Sequence, residues 1–145
     1  MSLDITLYGH ETLRVSTGIF VREDGGTREL SVAEARQRFP GAEIEEIPQL
    51  AQCFEANITH NLVSMASEAG LYEAMWRPEE IGASKAADVI PHLTVGISVL
   101  KANPDHFRTF NPANGWGHYE GLLETAEKYL AACVSNPDAV IHISR

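Results

Sequence analysis

Apolar and polar positions read as short extended segments through the front of the chain and at its end, and fall into helical periods over most of the second half. Asp4 to Tyr8 alternates and predicts a first short strand. Leu13 to Glu23 carries Val15, Ile19, Phe20 and Val21 and reads as extended chain, interrupted near Ser16-Thr17-Gly18. Asp24-Gly25-Gly26 predicts a tight hairpin turn, because glycine accepts the positive φ such turns need. Thr27 to Leu30 is then the returning strand. Ser31-Val32-Ala33-Glu34 has the spacing of a capping box, in which the serine oxygen and the glutamate each satisfy one free first-turn N–H. A short helix follows to about Arg38 and ends at Pro40-Gly41. Ala42 to Ile47 predicts another strand, closed by Pro48, and Gln52 to Thr59 a further one with Phe54, Ala56 and Ile58 on its inner face.

From Asn61 the period becomes helical. Leu62, Met65, Ala66 and Ala69 share one face, and Gly70 supplies a left-handed stop. Leu71 to Trp76 adds a helical turn that Arg77-Pro78 breaks. Ser84 is the expected cap of a long helix striped by Ala86, Ile90, Leu93, Ile97 and Leu100, with a kink or break expected at Pro91. Asn103-Pro104 opens a short helix holding His106 and Phe107, and Phe110 to Gly117 is a loop. Tyr119, Leu122, Leu123, Ala126, Leu130 and Cys133 form the clearest amphipathic stripe, with Glu124 and Lys128 paired on its outer side. After the Asn136-Pro137-Asp138 turn, Ala139 to Ser144 predicts a last strand with Ile141 and Ile143 inward and His142 outward.

Strands gather at the front, helices in the second half, and one strand finishes the chain. That segregation predicts an α+β fold, a small antiparallel or mixed sheet with helices packed on one face. At 145 residues the chain reads as one domain spanning 1–145, with 25–48 a strand–helix–strand elaboration too short for a core of its own.

Composition narrows the function. The formal net charge is −9, from 20 acidic against 11 basic residues, which repels a phosphate backbone, and no Lys/Arg cluster offsets it; nucleic acid is not an expected partner. No apolar run nears the roughly 20 residues that span a bilayer, so no membrane is expected either. Met1 to Leu7 is too short and polar for a signal peptide, and Cys53 and Cys133 lie far apart in apolar-patterned segments, as buried reduced thiols do. These features predict a cytoplasmic protein. The six histidines show no metal-ligand spacing, and no phosphate loop or nucleophile motif is present, so no metal, no cofactor and no assigned catalytic residue follow from the sequence.

Three segments concentrate polar chemistry. Asn57-Ile58-Thr59-His60-Asn61 lies where a strand gives way to a helix, so Asn57, Thr59, His60 and Asn61 converge with free helix N–H groups. The same residues suit a structural part, with Thr59 or Asn61 as the cap and His60 bonded to a backbone carbonyl. Asn111 to Glu120 is dense in amides and aromatics, offering Asn111, Asn114, Trp116, Tyr119 and Glu120. Gly115 and Gly117 flank Trp116 and let its backbone approach a surface closely, while the indole gives a flat apolar face and one donor. The competing expectation is a Trp116 that plugs the core. Arg77, in Trp76-Arg77-Pro78-Glu79-Glu80, has the fork to grip an anion or to pair with Glu79, Glu80 or Glu120.

The blocks Asn57 to Asn61, Trp76 to Glu80 and Asn111 to Gly121 resemble those of small uncharacterised proteins of bacteriophages and some bacteria. The likeness covers the chain from Phe54 to Arg145 and leaves out Gly25 to Pro48. It implies a phage accessory setting, including action on host systems, and no activity. Together these readings lead to a small soluble binding protein holding a small polar ligand, or else a host protein. Two other classes stand beside it: a hydrolase or metal-assisted enzyme using His60 with Glu55 or Glu120, and an acidic protein-interaction module.

Overall fold

The computed structural model describes residues 1–145. Its order is β1 (Ser2–Ser16), β2 (Phe20–Glu23), β3 (Gly26–Glu29), α1 (Val32–Arg38) and β4 (Glu45–Thr59). A 3-10 turn over His60–Leu62 leads into α2 (Val63–Ala69) and α3 (Tyr72–Trp76), and a second over Pro78–Ile81 precedes α4 (Ala86–Ala102). Then come α5 (Pro104–Arg108), α6 (Tyr119–Ser135) and β5 (Val140–Ser144). The fold is α+β, with an antiparallel three-stranded sheet in the order β4-β1-β5 and a separate β2-β3 hairpin. No helix is long and apolar enough to cross a membrane. The chain divides into two compact units, one of Met1–Gly9 with Gln52–Arg145, the other of His10–Ala51.

In the larger unit, alternation in β1 buries Leu3, Ile5 and Leu7 completely. Antiparallel pairing sets Ile5 against Ile143 and Leu7 against Ile141, while Thr6 meets His142. Opposed residues share a face, so Ile141 and Ile143 point to the core and His142 away from it, in edge contact with Tyr8. Ile58 is buried, and Phe54 stacks on Tyr129 of α6 with centroids 5.5 Å apart. The helices cover this face, with Leu62, Met65, Leu71, Met75, Leu93, Leu100, Phe107 and Leu122 in one continuous core.

Helix α4 departs from expectation at two points. Its N-cap is Lys85, not Ser84. The Asp88 carboxylate accepts the N–H groups of Ser84 and Lys85, at 3.1 and 3.0 Å. The next two N–H groups, of Ala86 and Ala87, donate to the carbonyls of Ala139 and Pro137. Strand β5's approach thus satisfies the helix start and leaves the Ser84 hydroxyl no role there. The helix also runs uninterrupted through Pro91. Pro91 and Ala87 are both exposed, so the carbonyl deprived of its N–H partner faces water, where a missing bond costs little. The buried stripe takes in Val89 and Gly96 and leaves Ile90 only half covered.

In the smaller unit the hairpin turn places Asp24 at φ 48° and Gly25 at φ 79°, the paired positive angles of a two-residue type I′ connection between Glu23 and Gly26. The capping box of α1 forms, Glu34 N–H donating to Ser31 Oγ at 3.2 Å and Ser31 N–H to Glu34 at 3.1 Å. Glu29 accepts from Ser16 Oγ (2.6 Å) and from the N–H groups of Thr17 (2.9 Å) and Gly18 (3.1 Å). Leu30 and Ala35 are its buried apolar residues. The two strands expected either side of Pro48 are one strand, β4. It is the edge strand of its sheet and Pro48 is exposed, a position that tolerates a residue without an N–H.

Candidate functional site

The ten polar residues picked out from the sequence fall into three groups in the larger unit. Asn57, Thr59, Asn61, Asn114 and Trp116 line one open hollow of about 540 Å³, together with Met1 and Ser2. His60 and Arg77 belong to a cluster around Trp76. Asn111, Tyr119 and Glu120 organise the start of α6.

The hollow arises where β4 ends. Thr59 turns the chain into the 3-10 turn and caps it, its Oγ1 accepting from Asn61 N–H at 3.3 Å. The capping role expected of Thr59 and its place in the hollow therefore coexist. Strand pairing brings β1 alongside, so that Asn57 Nδ2 donates to Ser2 Oγ at 2.9 Å and to the Asp4 carboxylate. On the far side, Asn61 Nδ2 donates to the Trp116 carbonyl at 3.2 Å and ties the loop before α6 to the end of β4. Within that loop Asn114 Oδ1 accepts from Trp116 N–H at 2.9 Å.

Both flanking glycines are needed. Gly115 adopts φ 76° and Gly117 φ 108°, and a Cβ on Gly117 would lie 2.9 Å from Thr59 Cγ2 and 3.0 Å from Leu62 Cγ. This close approach turns the indole outward. Trp116 is 72% exposed; it does not plug the core, a part that falls to Trp76. The functionality left over is mixed. Asn57 Oδ1 and Asn61 Oδ1 are free to accept, and Asn114 Nδ2, the Thr59 hydroxyl and the Trp116 Nε1–H are free to donate. No Lys, Arg, Asp or Glu lines the hollow.

Met1 and Ser2 carry no functional signal in the sequence, where they only precede the first expected strand. Only the pairing of β1 with β4 puts them here, and no local pattern records it.

The second group surrounds Trp76, 2% exposed. Its Nε1–H donates to His60 Nδ1 at 2.9 Å, so His60 accepts from an indole instead of donating to a carbonyl, and its neutral ring carries its proton on Nε2. Tyr72 stacks on Trp76, and Arg77 Nε donates to the Tyr72 hydroxyl at 2.9 Å. Of the expected acidic partners, Arg77 reaches Glu80, at 3.7 Å. Arg145 donates to the Trp76 carbonyl and pairs with Glu79, which holds the Glu79 carboxyl below its ordinary range.

The third group builds a helix start. Asn111 Oδ1 accepts from Tyr119 N–H at 2.8 Å, and His118 Nδ1 accepts from Gly121 N–H at 2.9 Å. The buried Tyr119 donates its hydroxyl to the Leu100 carbonyl at 2.7 Å. Glu120 pairs with Arg108 at 3.0 Å and stands 3.6 Å from His118; its own backbone N–H and Arg108 hold its carboxyl below the usual range. Glu55 accepts from Gln52 at 2.9 Å. Neither glutamate is hydrogen-bonded to His60.

No family model matches the chain, and no curated protein or solved structure is significantly similar to it.

Proposed function

We propose that this chain is a small binding protein, a cytoplasmic accessory protein of the phage type, which holds a small polar ligand in the hollow beside Trp116. The observation that carries the reading is a solvent-facing indole beside amide and hydroxyl groups without internal partners. A large aromatic face left in water forgoes burial worth about 2 kcal/mol or more, and the Asn61 bond to the Trp116 carbonyl fixes the loop that presents it. A volume near 540 Å³ lies within the ordinary range of small-molecule sites, about 300–1,000 Å³. The phage-like sequence blocks include two of the three segments that line the hollow, which accords with an accessory role.

Thermal denaturation against a panel of saccharides, nucleosides and amino acids tests this. A ligand at a hundredfold excess over its Kd adds about 2.7 kcal/mol, a rise of roughly 5–10 °C in Tm for a chain of this size. Trp116→Ala should leave the unliganded stability within about 0.5 kcal/mol of the parent, because the side chain is exposed, and should abolish the rise in Tm. A panel without effect on the parent protein would refute the reading.

A further inference from the structure

We infer that the ligand is an uncharged saccharide, one pyranose ring lying against the Trp116 indole; the inference rests on the binding function proposed above. Charge excludes most alternatives. No cationic side chain lines the hollow, the Asp4 carboxylate stands behind Asn57, and the whole chain carries −9. The Met1 amino group is the one positive charge among the lining residues, so phosphates, sulfates and carboxylates would find no Lys or Arg side chain to pair with and a repulsive surround. A cationic ligand is no better served, because no carboxylate lines the hollow and a single indole does not make an aromatic cage.

The free groups then describe a neutral partner. Two amide oxygens accept, while one amide NH2, one hydroxyl and one indole N–H donate, all around one aromatic face. Each hydroxyl of a sugar both donates and accepts, so adjacent hydroxyls can answer this mixture without leaving a group unpaired. A pyranose also has an apolar C–H face and a polar rim. The face suits the electron-rich indole, and the rim meets Asn57, Thr59, Asn61 and Asn114. The open side of the hollow allows an attached sugar chain to continue into solvent, so a free sugar and a glycan end share the same recognition.

Proton–nitrogen correlation spectra provide the test, because the two tryptophans give two indole N–H signals. Trp76 donates to His60 and is buried; Trp116 donates to nothing in the protein. The probes are glucose, galactose, mannose and N-acetylglucosamine, their short oligosaccharides, adenosine and guanosine, and the neutral amino acids. A saccharide is expected to move the Trp116 signal saturably and leave that of Trp76 in place. Stronger binding of the oligosaccharides than of their monomers would assign the site to glycan chains, and equal binding would assign it to free sugars. Trp116→Ala should abolish binding, and Asn114→Ala should weaken it about three- to tenfold, the value of one neutral hydrogen bond. Should nucleosides or amino acids move the Trp116 signal while every saccharide leaves it still, the saccharide assignment fails and the binding function stands. Silence from all probes removes both. Saccharide binding that Asn114→Ala and Trp116→Ala leave unchanged would also overturn the assignment.

Discussion

At the scale of single residues, the two tryptophans have opposite tasks set by their neighbours. Trp116 is held outward between two glycines at positive φ, an angle that side chains rarely adopt. Trp76 fills the core and still finds an acceptor for its one polar atom in His60. Removing that acceptor leaves a buried N–H unpaired, a cost of about 1–3 kcal/mol. His60→Ala should therefore lower stability by that amount in urea denaturation. In a Trp76→Phe background, which has no N–H to orphan, the same substitution should cost clearly less. Equal costs in both backgrounds would show that His60 contributes by packing alone. Neither tryptophan's part was legible from its own residue type. The Gly-Trp-Gly spelling did announce a close backbone approach, and Thr59 and Leu62 are what it approaches.

At the scale of elements, helix α4 shows where local rules gave way. Ser84 and Pro91 both read as boundaries, yet the turn before β5 supplies the helix with carbonyl partners and solvent accommodates the proline. The same helix hides a constraint that its hydrophobic pattern did not reveal. Gly96 lies against α2 and the start of α3, and a Cβ there would meet Leu71 Cδ2, lie 2.5 Å from Leu71 Cγ and stand 3.3 Å from the Ala69 carbonyl. Gly96→Ala gains helix propensity, about 1 kcal/mol, but the overpacking it forces costs about 1–3 kcal/mol. Because the clash involves a fully buried leucine in contact with backbone, the second effect should win, and the variant's Tm should fall. A rise would mean that Leu71 can move aside freely. Helix α6, by contrast, follows its period closely, and the structure differs in enclosing Tyr129 fully and leaving Leu123 and Leu130 half-buried.

For the molecule as a whole, half-buried and exposed carboxylates accept hydrogen bonds or face cations in ways that hold their pKa values down. Glu34 is lowered chiefly by Arg28, Glu29 by the Ser16 hydroxyl, and Asp88 by the N–H of Lys85 and then Ser84. A carboxyl depressed by folding adds stability above its unfolded pKa and loses it as pH falls through its folded value. The melting temperature should thus decline as pH drops from about 5 to about 3, the range in which carboxylates protonate. Asp88→Asn, keeping one acceptor oxygen without the charge, should show a shallower decline. A flat profile would mean that these contacts are fully screened by water. Sequence alone determined the α+β class, the sites of most elements, the hairpin turn and the α1 cap, because these follow from periodicity and from bonds spanning two to four residues. It also indicated which segments were rich in polar groups. Only the tertiary structure decided that Asn57, Thr59 and Asn61 meet Asn114 and Trp116, while His60 and Arg77 turn to Trp76. It alone decided that Met1 and Ser2 join the hollow. The meetings in the hollow join residues more than fifty positions apart through strand pairing and loop closure, and His60 reaches Trp76 across a whole helical segment, so no local pattern along a chain encodes them.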